Sequence, residues 1–256
     1  MNWKRLPRRL RHGEEATLVE HLGELRARLL IALAAFVPAF VLAFAFHEQL
    51  IEWLTDPLPP GRRLLTLGVT EPFFTSLKVS FFAALALSLP ILLYQLWAFL
   101  APAFKEQSQR VVALASALGG LLFAGGVAFG YFVVLPKALD FLTTFNDELF
   151  DVQIRASYYF SFVLVALLAM GLVFELPVFV LTLVRLQIVT SAQLRRNWRL
   201  GIFVVVLVAV LLPTVDPVSL AFEAVPLLAL YFVSVWLAGV MERRWRRAGV
   251  LWTAVE

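Results

Sequence analysis

The acidic groups of greatest chemical interest near the N-terminus lie in the stretch TLVEHLGELRARLL, which starts at Thr17. Thr17 and Glu20 match a capping box, so we expect a helix to begin there. On that helix, Glu24 and Arg28 lie on the face opposite a stripe of leucines. One interpretation is an interfacial helix with i,i+4 pairs, each worth about 0.2–0.5 kcal/mol. The other is a binding surface for a cationic ligand.

Two further carboxylates lie inside apolar stretches. Glu175, in VFELPVFV, lies about 15 Å from the nearer end of its run, where a charged carboxylate costs about 2.5–3.5 kcal/mol. We expect Gly171 to leave room beside it and Pro177 to kink the helix. Glu175 is then either a neutral residue bonded to a neighbouring helix or a polar contact in a cavity or transport path. Glu223 shares a helix face with Asp216, a candidate N-cap, and a hydrogen bond within a hairpin is the favoured interpretation for it.

Enzyme chemistry finds little support in the sequence. The chain has no cysteine, which excludes disulfides, thiol catalysis and cysteine-ligated metal. Its histidines are His12, His21 and His47, and their spacing does not suit metal ligation. None of them lies within an apolar run, so no histidine is placed to act as the base for a serine nucleophile inside the membrane. We therefore expect neither an enzyme nor a cofactor.

The elements that position these residues are membrane-spanning helices. The chain has 256 residues, of which 61% are hydrophobic and 16% charged, whereas soluble domains average about a quarter charged. Six apolar runs are present, and five of them approach the length of about 20 residues that a membrane span needs. They cover residues 29–46, 79–100, 111–136, 156–184, 200–212 and 217–241. The sequence predicts an all-α integral membrane protein with six transmembrane helices.

The fifth run is short for a membrane span. Its 13 residues, 200–212, reach about 20 Å against a hydrocarbon core of about 30 Å. A short hairpin there would thin the bilayer or recruit partner helices. Alternatively, the helix extends through polar residues at both ends. We expect three parts of the chain: residues 1–28 as an N-terminal segment with an interfacial helix, 29–241 as the transmembrane domain, and 242–256 as a basic tail.

Lysine and arginine bias predicts the orientation of these helices. With the N-terminus inside, the segments on the inner side carry 17 lysines and arginines, and the outer loops carry four. Lys78, within the second span, completes the set. Both termini are therefore expected to be cytoplasmic. The basic tail at 243–247 is expected to hold an anionic membrane surface.

Several short stretches occur in an order and spacing typical of one known family. They are HLGELRARLL at 21–30, TEPFFTSLKVSFF at 70–82, PILLYQLWAFLAP at 90–102, YFVVLP at 131–136, SYYFSF at 157–162, FELPV at 174–178 and AVP at 224–226. Together with six predicted spans, these stretches resemble the TatC family, the receptor subunit of the twin-arginine protein translocase. The resemblance covers about residues 17–241.

The resemblance implies a function and a fold. TatC-like proteins bind signal peptides that carry paired arginines. With single-span partners of the TatA and TatB type, they move folded proteins outward across a prokaryotic cell membrane, driven by the proton-motive force. The family fold is a curved wall of six helices, of which the fifth and sixth are short. Self-association is implied, whereas nucleic acid is not an expected partner.

The resemblance also implies roles for individual residues. The cytoplasmic glutamate and arginine of the family fall on Glu24 and Arg26, and the aromatic residue at the inner end of the second helix falls on Phe99. The intramembrane glutamate falls on Glu175, and the aspartate of the outer hairpin falls on Asp216. Planar guanidinium groups are best met by carboxylates, while Leu22, Leu25 and Phe99 are expected to receive the apolar part of the peptide.

One position departs from the family pattern. The family often carries a second glutamate in the first inner loop, where this chain has Ser108 in the stretch KEQSQR. Glu106 lies two residues earlier and is the expected replacement; otherwise the second contact is absent.

A rival function is a proton-coupled small-molecule transporter with Glu175 and Glu223 as proton carriers. Such a protein would need broken helices or paired halves around a midplane site, and no paired halves are visible in the sequence. A structural scaffold for partner helices is a third possibility, which would not need Glu24.

Overall fold

The structure is a computed structural model that describes residues 18–59, 63–100, 109–145, 149, 153–212 and 217–247. Ten α-helices and two short strands account for most of these residues. The helices are α1 Leu18–Ala45, α2 His47–Thr55, α3 Glu71–Leu100, α4 Gln109–Phe129, α5 Leu135–Thr144, α6 Ala156–Phe174, α7 Leu176–Arg185, α8 Ser191–Arg196, α9 Trp198–Leu211 and α10 Pro217–Arg247. The strands are β1 Leu64–Leu65 and β2 Ile154–Arg155.

Five segments within the described residues are long and apolar enough to cross a membrane. They are His21–Ala45, Glu71–Phe99, Val112–Thr144, Ala156–Arg185 and Leu220–Arg247. The fifth of the six predicted runs forms α9, whose 14 residues extend about 21 Å. The prediction of a short fifth helix is therefore confirmed, whereas the expectation of a short sixth helix is wrong, because α10 has 31 residues. Five spans rather than six meet the length expected of a membrane crossing.

The first helix has no break at the predicted boundary between residues 28 and 29. It runs without interruption from Leu18 to Ala45, so the interfacial segment and the first span form one helix. Thr17, the proposed cap, lies outside the described residues. The helix packs chiefly against α3, and its most apolar stretch is only 6% buried. Helix α1 is therefore attached to the bundle mainly by α3.

The remaining helices pack around two main apolar clusters. One joins α3, α5 and α6 through residues such as Val79, Leu135 and Val163. The other joins α9 and α10 to the middle of the bundle through residues such as Val205 and Leu227. We call the end of the bundle at which α1 begins the Glu24 end, and the opposite end, at which α3 begins, the Glu71 end.

A close helix contact depends on glycine at position 126. A Cβ atom built there would lie 2.6 Å from the carbonyl oxygen of Met170 and 2.8 Å from Cβ of Phe174. Both distances are shorter than van der Waals contact, so only glycine lets α4 lie this near α6. The neighbouring Gly125 has no atom within 4 Å of its built Cβ. The two adjacent glycines therefore face different environments.

The loops of the Glu71 end are joined by a buried carboxylate. Glu71 accepts hydrogen bonds from Nε of Arg155 at 3.0 Å, from the amide of Ser157 at 3.0 Å, and from the amides of Leu67 and Gly68. Strands β1 and β2 pair in parallel directly beside it. The start of α3 and the start of α6 are thereby fixed to one another.

Two tyrosine hydroxyls hold the short helix α2 against this end. Tyr131 donates to the carbonyl of Trp53 at 2.6 Å, and Tyr159 donates to the carbonyl of Leu54 at 2.8 Å. Tyr131 lies in a π-helical turn, Gly130–Val134, that continues α4 into α5. Its ring also stacks on Trp53 with centroids 4.0 Å apart. The last carbonyls of α2, which lack partners within their helix, are satisfied in this way.

Candidate functional site

The Glu24 end brings the start of α1 beside the last turn of α3. The rings of His21 and Phe99 stack with centroids 4.5 Å apart. Leu22 and Leu25 are exposed, at 62% and 46%, and present apolar surface next to this stack. Of the predicted site residues, Leu25 and Arg26 are exposed on α1, Phe99 contacts the same helix through His21, and Glu24 is half-buried on a different face of α1.

The carboxylate of Glu24 is engaged by an arginine of its own helix. Arg28 donates to Oε1 of Glu24 through Nε, at 3.1 Å, and through a second guanidinium nitrogen. This is the i,i+4 pair predicted from the helical wheel. The pair is half-buried, with 17% of the Glu24 side chain exposed. Glu24 is thus not an unoccupied carboxylate, since one of its oxygens already meets a guanidinium group.

The second oxygen of Glu24 is in a different situation. Oε2 is buried and accepts no hydrogen bond from any of the described residues. An unsatisfied buried carboxylate oxygen is costly, and a further guanidinium donor would remove that cost. Arg26, two residues on, is exposed. An external arginine would satisfy Oε2 while Arg28 remains on Oε1, but only after the side chains that cover Oε2 have moved aside.

The second predicted carboxylate of this surface is not described. Glu106 and Ser108 both lie outside the described residues, as does Asp216 of the predicted outer hairpin. Their roles stay predictions.

Glu175 lies at a break between two helices in the middle of the bundle. It is both the last capping residue of α6 and the first of α7, and Pro177 follows in the first turn of α7. The predicted interruption of the helix at this proline is confirmed. The backbone of Glu175 still bonds on both sides, to Leu172 and Phe179. The break therefore redirects the helix without leaving that backbone unpaired.

The room for the Glu175 side chain comes from a glycine on another helix. A Cβ built at Gly119 of α4 would lie 2.9 Å from Oε2 of Glu175 and 2.9 Å from Cδ1 of Leu93 on α3. Gly171, predicted to provide this room, instead packs against the ring of Phe123. That prediction was wrong because a wheel drawn on one helix does not contain the neighbouring helix. In the sequence, the adjacent small residues Gly119 and Gly120 were the feature that indicated room for this side chain.

An apolar groove lies beside this carboxylate. It has a volume of about 450 Å³ between α3 and α4, and its lining includes Trp53, Pro90, Gly120 and Phe132. Gly120 lines the groove and its neighbour Gly119 faces Glu175, but the carboxylate itself is not among the residues that line the groove. Oε1 of Glu175 is buried and has no hydrogen-bond partner among the described residues. The middle of the bundle thus has an apolar groove and, separately, one carboxylate oxygen without a donor.

Glu223 occupies a separate position in α10. Its side chain is only 1% exposed, and it lies between Leu220 and Leu227 of the apolar cluster that joins α10 to α9. Within the part of the chain that the structure describes, no three histidine or acidic side chains converge as metal ligands. The three carboxylates thus occupy distinct places: Glu24 on the surface, Glu175 at a helix break and Glu223 in a core.

Comparisons with known proteins agree on one family. A profile described as "Sec-independent protein translocase protein (TatC)" matches residues 20–226. A protein of that name from Deinococcus radiodurans is 38% identical over 236 residues, covering 89% of this chain and 87% of that protein. TatCd of Bacillus subtilis is 35% identical over 233 residues, covering 90% and 95%.

Solved structures resemble the fold as well. A crystal structure described as the twin-arginine translocase receptor TatC in DDM superposes with a TM-score of 0.75 at 33% identity. The match covers 85% of this chain and 99% of that chain. The likeness therefore extends across nearly the whole of the solved protein.

Proposed function

Because the chain belongs to the TatC family of Sec-independent protein translocase proteins, we propose that it binds twin-arginine signal peptides. It is a multi-pass membrane transport subunit and not an enzyme. The unsatisfied Oε2 of Glu24 carries the proposal, since a carboxylate oxygen without a donor suits an arginine, and the exposed leucines on another face of α1 suit the apolar segment that follows.

The apolar part of the peptide has a matching surface. Leu22 and Leu25 are exposed on α1, and Phe99 stacks on His21 beside them. In this arrangement the first arginine of the pair meets Glu24 and the apolar region of the peptide covers the leucines. Glu106 is the proposed partner of the second arginine. Arg26 limits where a cationic peptide can lie, because like charges repel it.

A titration with purified protein in detergent tests this function. A fluorescent peptide with an arginine pair should bind about tenfold more tightly than the same peptide with a lysine pair, because a lysine cannot make the bidentate contacts of a guanidinium group. Both peptides carry the same net charge, so general attraction cancels. Equal affinity for the two peptides would exclude recognition of paired arginines.

Partner helices have a second proposed site. The groove between α3 and α4, which Gly120 lines, and Glu175, which faces the neighbouring Gly119, suit an apolar helix that supplies one hydrogen-bond donor. TatA- and TatB-type single-span proteins are the proposed occupants. With them, and with further copies of this chain, the protein would export folded proteins using the proton-motive force.

Substitutions of Glu175 separate a hydrogen-bonding role from proton release. If a partner helix donates to this carboxyl, Glu175→Gln keeps an acceptor and should export normally, whereas Glu175→Ala should weaken partner binding by about 1–3 kcal/mol. If the group must release a proton, both variants should fail alike. Export of a folded reporter and crosslinking of a TatA-type helix to α4 measure the two effects. Normal export and crosslinking in both variants would show that Glu175 has neither role.

We also propose a membrane orientation. The charge bias favours a cytoplasmic Glu24 end, with both termini on that side. Stacking of His21 on Phe99, together with Arg185 over the ring of Trp245 at 5.4 Å, is consistent with the start of α1 and the end of α10 sharing that end. Helix α9 would then complete a sixth, short crossing through a thinned bilayer, and α1–α10 would form a curved wall.

A further inference from the structure

Lys78 is a charged residue within a membrane-spanning helix for which the transport function gives no role. It lies seven residues after Glu71, the first residue of α3, and therefore about 10 Å along the helix axis. Helix α3 has 30 residues and is about 45 Å long, against a hydrocarbon core of about 30 Å. If α3 is centred in the bilayer, Lys78 lies about 3 Å inside the hydrocarbon boundary.

The charge of Lys78 has only a neutral partner among the described residues. Its Nζ donates to Oγ of Ser161 on α6 at 2.7 Å. That hydroxyl in turn donates to the carbonyl of Ser157. Glu71, the acidic residue of the same helix, is already bonded to Arg155 and to the amide of Ser157. Two N–H groups of the ammonium group thus have no acceptor within the described structure.

The surroundings of Lys78 are typical of the level of lipid headgroups. Phe74, one turn before it on α3, is 61% exposed, and Tyr158, one turn before Ser161 on α6, is 71% exposed. Exposed aromatic rings concentrate at membrane interfaces. The guanidinium group of Arg155 lies 5.4 Å from the ring centroid of Tyr158. Because Arg155 is paired with Glu71, Lys78 is the cation of this seam that has no acidic partner among the described residues.

We propose that Lys78 binds the phosphate group of a membrane phospholipid seated on the seam between α3 and α6. The ammonium group supplies charge-assisted hydrogen bonds to the phosphate. The exposed rings of Phe74 and Tyr158 contact the glycerol and acyl groups. A phosphate at this depth is within reach of a snorkelling lysine, whereas a bare ammonium group in hydrocarbon is unfavourable. The proposal does not depend on peptide recognition.

Native mass spectrometry of protein equilibrated with phosphatidylglycerol tests the lipid site. Lys78→Gln should lower the occupancy of the tightest-bound lipid with an apparent affinity loss of about tenfold or more. The matched control is Lys137→Gln, which removes an exposed lysine from α5 and should leave the occupancy unchanged. Lys78→Arg retains the cation and should also retain the lipid. Equal lipid affinity in the wild-type protein and Lys78→Gln would overturn the proposal.

A second measurement needs no variant and therefore holds even if Lys78→Gln does not fold. The wild-type protein should retain phosphatidylglycerol and release diacylglycerol with the same acyl chains, because only the former has a phosphate. Equal retention of the two lipids would overturn the proposal. Millimolar inorganic phosphate should not displace the lipid; displacement would assign the site to a free anion instead. Crosslinking of position 78 to an acidic partner helix, with lipid retention unaffected by Lys78→Gln, would also contradict it.

Discussion

Replacing Glu24 by alanine is expected to weaken the binding of a paired-arginine peptide about tenfold to a hundredfold. The variant removes both the oxygen that Arg28 occupies and the oxygen that has no partner among the described residues. A titration of labelled peptide against purified protein measures the loss. Glu48→Ala is the matched control, since it deletes an exposed glutamate from α2, at the other end of α1, and should leave the affinity unchanged.

A companion variant of Arg28 decides whether Glu24 acts on the ligand or on its own helix. Arg28→Gln frees Oε1 for the peptide and removes a like charge, so affinity should be kept or increased. If Glu24 matters only because it holds Arg28 in place, both variants should lose affinity equally. A parallel loss in Glu24→Ala and Arg28→Gln would contradict direct recognition by the carboxylate.

Gly126→Leu is expected to destabilise the bundle by about 3 kcal/mol or more, at the upper end of the range for overpacking. Its Cβ would meet the carbonyl oxygen of Met170 and the side chain of Phe174 on α6, and a backbone atom cannot rotate away. Thermal unfolding in detergent, followed by helical circular dichroism, measures the effect.

The adjacent Gly125→Leu is the matched control. The same substitution is made one residue away, where no atom lies within 4 Å of the built Cβ, and it should leave the unfolding midpoint nearly unchanged. The two variants share any cost of replacing glycine in the unfolded state. If both unfold at the same temperature, the close approach of α4 and α6 does not contribute to stability.

Hydropathy was sufficient to predict most of the helices. Apolar runs of membrane length predicted the crossings, and the shortness of the run at 200–212 anticipated α9 because helix length follows directly from residue number. The proline two residues after Glu175 anticipated the break between α6 and α7. These features are local, since each depends on a few consecutive residues.

Features that depend on distant contacts could not be predicted in this way. The hydroxyl of Tyr131 bonds to a carbonyl 78 residues away, and that of Tyr159 to one 105 residues away. The π-helical turn at 130–134 carries no distinct hydropathy pattern. Likewise, the helical wheel correctly paired Glu24 with Arg28 on one helix but placed Gly171, rather than Gly119 of α4, beside Glu175.

The bonds of Glu71 also have a consequence for the order in which the chain is made. The amide of Ser157 donates a hydrogen bond to Glu71 and lies 86 residues further along the chain. At about 5–20 residues per second, Ser157 is therefore synthesised about 4–17 s after Glu71. Arg155 and strand β2 arrive at nearly the same moment. During that interval Glu71 has only the amides of Leu67 and Gly68 as its partners among these residues. The start of α3 thus gains its bonds to the segment that begins α6 only when that segment is made, although α3 already packs against α1 by then.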